Sequence, residues 1–184
     1  MNQEYIMKVE LIEEAGFHAA MAGMSLSYNQ PVEKMPDVAL KLHKKDGGHN
    51  KFLESMVVWL MVTAPRYWWQ QADTYRMSTK QSGSTMHTIM KRPLEMGDFE
   101  PDGITVEHLN SLNALIEKND FFTLKKHLPE SILQKREWMV SYKTLRNIIL
   151  QRLSHKLPHW QSFAKQVIEF VHYPQYLPSI SDNN

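Results

Sequence analysis

The stretch from His49 to His87, HNKFLESMVVWLMVTAPRYWWQQADTYRMSTKQSGSTMH, decides how the chain is read. Met56 to Thr63 is a continuous apolar run rich in Val, the length of a buried strand. Pro65 cannot donate to a strand ladder and suits the first turn of a helix, so it marks a strand end and a helix start. Arg66 to Arg76 then fits a helix of about three turns, with Gln71 and Tyr75 four apart on one face. Met77 to Ser84 is polar, small and contains Gly83, which predicts a shaped loop. Thr85 to Lys91 reads as a short helix with Ser84 as its N-cap. A hydroxyl-rich loop running into a helix start can hold an anion such as phosphate. A core hairpin with a solvated loop would show much the same pattern. Against that reading stand the polar groups of Gln70, Gln71, Asp73, Thr74, Tyr75 and Arg76, and the His49–Glu54 pair before the strand.

Outward from this stretch, Tyr5 to Ile12 predicts a first strand, and Phe17 to Met24 a short helix of small residues. The hydroxyls of Ser25 to Tyr28 read as capping and turning groups. Val38 to Lys45 predicts a short helix, and Asp46-Gly47-Gly48 a turn that delivers His49. Ile104 to Glu117 carries apolar residues at helical spacing. Asp120 can cap a helix over Phe121 to His127. Ser131 to Lys156 shows the longest helical pattern, with Leu133, Trp138, Tyr142, Leu145, Ile148, Ile149 and Leu153 on one face. His159 to Phe170 predicts a further helix, and residues 173–184 a flexible tail.

The chain has 184 residues, enough for one domain spanning 1–184 with a sizeable core. With 21 basic and 20 acidic side chains, its balanced field argues neither for nucleic acid nor for an acidic membrane. The absence of a long apolar run or a secretory pattern implies a cytoplasmic protein without a membrane partner. There is no cysteine, so disulfides, a thiolate nucleophile and thiolate metal ligands are all excluded. The nine histidines include no proline-free helical His-x-x-x-His pair, and no metal site is expected. Neither a glycine-rich dinucleotide fingerprint nor a P-loop is present.

The central stretch resembles the flavin-dependent thymidylate synthases. That family has a His-x4-Glu segment, a strand ending in Ala-Pro, a helix bearing a Gln, and a signature Arg-His-Arg-x-x-Ser-x-Asn-Glu-x-Ser-x-Arg-Tyr. His49, Glu54, Ala64, Pro65 and Gln71 fall into this order, and Thr74 to His87 falls on the signature without a gap. Arg76 and Ser84 match outright, and Thr79 and Gln81 stand for Ser and Asn. Thr74, Tyr75, Ser82, Met86 and His87 depart from it. A second block is similar to the family's Leu-Pro, Arg, Trp-x-Val-Asn-x-Arg and Asn-x4-Arg. Here it reads Leu128-Pro129, Lys135, Trp138, Val140, Ser141, Lys143, Asn147 and Arg152. Asn147 and Arg152 match, while lysines at 135 and 143 keep the charge of the family's arginines but lose their planar fork.

The resemblance implies an α+β fold, an antiparallel or mixed sheet with helices, in a homotetramer whose active sites lie between subunits. It implies reductive methylation of dUMP to dTMP, with methylenetetrahydrofolate, FAD and NADPH. His49, Arg76, Gln81 and Asn147 would meet the flavin. Gln71, Ser84, Lys135 and Arg152 would meet the nucleotide, with Ser84 and Arg152 as the catalytic candidates. They would act by orientation and charge, since the cofactor carries the chemistry. Two alternatives stay open: a related flavin- or folate-dependent enzyme modifying another pyrimidine nucleotide, and a non-catalytic nucleotide-binding homologue. A solvated helix face accounts for Lys143 as well as function does.

Overall fold

The computed structural model describes residues 7–179. Its centre is an antiparallel four-stranded sheet in the order β1 (Lys8–Ala15), β2 (Val57–Pro65), β4 (Leu133–Ser141), β3 (Ser78–Ser82). On β2, Val58, Leu60, Val62 and Ala64 are fully buried, while Val57, Trp59, Met61 and Thr63 are half-buried, as expected for a strand with unequal faces. Pro65 closes the strand, and α3 (Arg66–Ala72) starts at once. This helix is a turn shorter than the sequence pattern suggests, because Asp73 to Tyr75 tighten into a bend.

Trp68 and Trp69 of α3 pack with Trp138 of β4 and with Trp160 and Phe163 of α8 (His159–Phe170). Four buried indoles in one cluster make this the centre of the main core. Helix α8 forms because Trp160, Phe163, Ala164 and Val167 recur at helical spacing and all reach that core. On its other flank, α1 (Phe17–Tyr28) and α2 (Met35–Leu42) add Ala20, Met21, Met24, Met35 and Ala39. Gly16 enters α1 at φ +94, in the left-handed region, with its backbone against Ser55.

A second core lies between α5 (Val106–Glu117), α6 (Phe121–His127) and the 89–104 connection, built from Phe99, Ile104, Leu112, Leu124 and Ile132 among others. The side chains of Thr105 and Asp120 cap these two helices, accepting from the backbone N–H of His108 at 3.2 Å and of Thr123 at 3.1 Å.

Several sequence expectations are corrected. The long helix read over Ser131 to Lys156 is a strand, β4, followed by a helix, α7 (Tyr142–Arg152). Gln134 and Arg136 point to the same side as buried Trp138 and Val140, and these inward polar groups break the apolar alternation. Arg136 is accommodated there because it lies over the Trp69 ring at 4.6 Å and donates to Asp73 at 3.1 Å. The loop read over Met77 to Ser84 contains β3, an edge strand held by its ladder to β4 rather than by apolar side chains. Ser25 to Tyr28 continue α1, and α2 lies three residues earlier than expected. The first strand runs Lys8–Ala15; Tyr5 and Ile6 of the expected strand lie outside the described residues. In the described part of the stretch read as a tail, Tyr176 and Leu177 are buried and Tyr173 stacks on Phe17 at 4.1 Å, while 180–184 lie outside the described residues.

Candidate functional site

Helix α7 positions most of the candidate residues. At its C-terminal end Arg152 spreads its guanidinium over the Trp160 ring, 5.0 Å from the centroid, and its Nε donates to Tyr75 Oη at 2.8 Å. Tyr75 Oη in turn donates to Gln151 Oε1 at 3.1 Å. Trp160 Nε1 donates to Gln71 Oε1 at 3.0 Å, which ties α3 into the same cluster. Gln71 and Arg152 are thus brought together on one aromatic platform. Their remaining donors, the Arg152 Nη groups and the Gln71 amide nitrogen, meet no acceptor among the described residues. His155, one turn on, has its pKa held below the usual imidazole range by burial, with the charges of Arg152 and Lys156 acting the same way. The end of α7 is therefore a cationic corner with oriented donors, suited to oxygen acceptors.

The segment bearing Arg76 runs back along α7. Tyr75 fixes one side of it, and Thr144 Oγ1 donates to the Met77 carbonyl at 3.4 Å on the other. Asn147 falls on the same helix face between Thr144 and Gln151, and its Oδ1 accepts from Arg146 Nη1 at 3.5 Å. Arg76 is exposed, with no ion pair among the described residues. Lys80 holds the bend from beneath: its Nζ donates to Tyr75 O at 3.4 Å and Ser78 Oγ at 3.2 Å and lies 4.8 Å over Trp138. Burial lowers the Lys80 pKa, against the opposing pull of Asp73. Gln81 is exposed on β3 opposite Glu137. Ser84 occupies the N-cap position of α4 (Thr85–Thr88), yet its hydroxyl makes no capping bond. Its exposed side chain is left for another partner. Beside it, Lys125 of α6 donates to Thr85 Oγ1 at 2.8 Å, a cation that sequence reasoning missed. Burial lowers the Lys125 pKa, and Arg66 adds to the effect.

His49 lies at the other end of α7. The 43–50 loop is clamped there by Lys143, which donates to Asn50 Oδ1, and by Arg146, which donates to Lys44 O at 3.0 Å and pairs with Asp46 at 3.3 Å. Asn50 is fully buried and donates to His43 O at 3.1 Å. The structure gives Lys143 a role other than the two left open for it, a ligand contact or a solvated helix face: it clamps the loop through Asn50. Exposed His49 lines a cleft of about 520 Å³ with Gly23, Ser27, Tyr28 and Glu54. The hydroxyls of Ser27 and Tyr28, read as capping groups, therefore border the His49 cleft.

The candidates do not converge on one point. Lys143 and Arg152 are nine residues apart on one helix, about 13 Å along its axis. Lys135 is exposed on β4 opposite Thr63, and successive strand residues alternate faces, so it turns away from the Trp138 side. A further cluster escaped sequence reasoning: Tyr67 Oη donates to Glu100 Oε2 at 2.6 Å, and His159 Nε2 lies 2.8 Å from Glu100 Oε1. It joins the 99–104 segment to α3 and α8 one turn from Gln71, and burial lowers the His159 pKa against the pull of Glu100. Among the described residues no group of three His, Asp or Glu is placed to hold a metal, and no helix is long and apolar enough to cross a membrane.

No family model matches the sequence. No curated protein matches it either. Solved structures do. Thymidylate synthase X from Helicobacter pylori, solved with FAD and dUMP, superposes with a TM-score of 0.77 at 18% identity, over 94% of this chain and 97% of that one. A second structure of that flavin-dependent enzyme from Helicobacter pylori, complexed with FAD and dUMP, gives 0.76 at 17% identity, over 92% and 97%. The fold implied by the sequence resemblance is therefore the fold found: the chain is built on the flavin-dependent thymidylate synthase architecture over nearly its whole described length.

Proposed function

We propose that this chain is a compact, divergent flavin-dependent thymidylate synthase that methylates dUMP reductively to dTMP. The observation that carries the reading is the full-length likeness to structures holding FAD and dUMP, joined to the Gln71–Trp160–Arg152–Tyr75 cluster. Gln71, Ser84, Lys135 and Arg152 are the nucleotide-binding residues. Ser84 and Arg152 orient the pyrimidine nucleotide and stabilise charge at the reacting end. His49, Arg76, Gln81 and Asn147 are the flavin-binding residues. They fit part of that group. Arg76 is an exposed cation with no ion pair among the described residues, and His49 lines a cleft of about 520 Å³, within the range of small-molecule sites. Bound FAD supplies the hydride once NADPH has reduced it, and methylenetetrahydrofolate supplies the carbon. The absence of cysteine agrees with this route, because no enzyme thiolate is needed.

The spread of the candidates along α7 supports a homotetramer in which another copy completes each site. A second reading is a related flavin- or folate-dependent enzyme acting on another pyrimidine nucleotide. It is favoured by Tyr75, whose hydroxyl is engaged with Arg152 and Gln151 where the signature has an imidazole. Expression in a thymidylate synthase-deficient host tests the proposal. Growth without thymidine is expected. No growth, with soluble and abundant protein, would refute it.

A further inference from the structure

We infer that Tyr75 is a positioning residue: it locks the Arg152 guanidinium so that its Nη edge faces an oxygen acceptor of the bound nucleotide. This rests on the reading of Gln71 and Arg152 as nucleotide-binding residues and adds to it a role that the signature does not contain, since that position is His in the pattern and Tyr here.

A guanidinium offers five N–H donors in a rigid plane on a flexible stem. Here the stem leaves the last residue of α7, where nothing in the helix fixes its direction. Three contacts do. The plane lies 5.0 Å over the Trp160 ring and 5.7 Å from the Tyr75 ring centroid. The Nε donates to Tyr75 Oη at 2.8 Å. Trp160 is itself pinned by its indole N–H to Gln71, and the Tyr75 ring meets it edge-on at 6.1 Å and 74°. Because Tyr75 Oη gives its own proton to Gln151, its lone pairs remain for Arg152. With Nε occupied, the pair left for a ligand is Nη1 and Nη2, side by side at the end of the fork. The Gln71 amide accepts from Trp160 through its oxygen, which leaves both N–H groups of its nitrogen as donors. The corner therefore selects oxygen acceptors, either a phosphate edge or a pyrimidine carbonyl. A phenol accepts and donates at once, whereas an imidazole protonated on both nitrogens has no acceptor left for Arg152.

The test uses the full chain with Tyr75→Phe, which keeps the ring, together with Tyr75→His and Arg152→Gln. Titrations use dUMP and, separately, deoxyuridine, and the Arg152 Nε–H is followed by nitrogen-15 NMR. Tyr75→Phe is expected to weaken dUMP binding on the order of tenfold, the scale of one charge-assisted hydrogen bond, with the melting temperature unchanged. Tyr75→His is expected to restore most of that at about pH 8, where imidazole is neutral, and to lose it below about pH 6. An equal loss with deoxyuridine assigns the acceptor to the base, and a loss confined to dUMP assigns it to the phosphate. Loss of dUMP binding on Arg152→Gln but not on Tyr75→Phe overturns the inference while leaving the proposed function standing. If the unmodified chain binds neither probe, the proposed function fails. The lock is then judged on the NMR signal, where exchange protection in the unmodified chain that disappears in Tyr75→Phe sustains it and identical behaviour overturns it.

Discussion

Replacing Lys143 by Met removes the ammonium and keeps an apolar stem of similar length, so it isolates the clamp on the His49 loop. The Lys143 side chain is 21% exposed and its Nζ donates to Oδ1 of Asn50, which is fully buried. Without the donor, that oxygen sits in the interior with no partner, and the penalty for such a group is about 1–3 kcal/mol. The pairing of Lys143 with Asp46 at 3.5 Å adds little, because the Asp46 side chain is 70% exposed and screened by water. A loss of about 2 kcal/mol, with a urea slope of about 2 kcal/mol/M, moves the unfolding midpoint down by about 1 M. Asp46→Asn should move the midpoint less, because the Asp46 carboxylate is largely exposed and its partner Arg146 keeps its bond to the Lys44 carbonyl. Equilibrium urea unfolding followed by tryptophan fluorescence reads both. A midpoint for Lys143→Met within about 0.2 M of the parent, or an equal shift from Asp46→Asn, would refute the account of the clamp as burial of a satisfied amide.

Gly16→Ala should destabilise the fold by about 3 kcal/mol, since the residue sits at φ +94 and a Cβ would lie 1.9 Å from the Ser55 carbonyl oxygen; thermal unfolding checks this. Stability should also fall with acid. His159 and His43 have folded pKa values held below 6.5 by burial, so the unfolded chain binds more protons there. Their contribution is present above about pH 6.5 and is lost as pH drops through the folded values, and His159→Gln should flatten that part of a urea-midpoint-against-pH curve. Finally, Arg76→Ala should weaken FAD binding and Ser84→Ala should weaken dUMP binding, each on the order of tenfold with the fold intact, as titrations of the purified variants would show. Indifference to both changes would fit a scaffold that has lost its ligands.

The order strand, Pro65, helix was legible because an uninterrupted apolar run and a proline both act locally. The bounds of α6 and α8 were legible too, from a capping Asp120 and from apolar residues at helical spacing. β4 was not, because Arg136 and Gln134 face the core, and their partners Asp73 and Trp69 are more than sixty residues away in sequence. β3 carries almost no apolar side chain, and its existence depends on the backbone edge that β4 offers. Among the candidate residues, Gln71 and Arg152 were singled out through motif order alone. Their meeting on Trp160 and Tyr75 spans separations of 89 and 77 residues, which no local pattern encodes. The same holds for Glu100, His159 and Tyr67, which look unremarked in sequence and touch only once α3 and α8 are packed.

The most direct measurement is the visible absorption spectrum of the purified chain after gel filtration, with FAD and then with dUMP added. The account predicts that flavin co-elutes with the protein and that its absorption bands shift when dUMP binds beside it. Protein that emerges colourless under both conditions would contradict the proposal that this architecture still serves a flavin-dependent synthase.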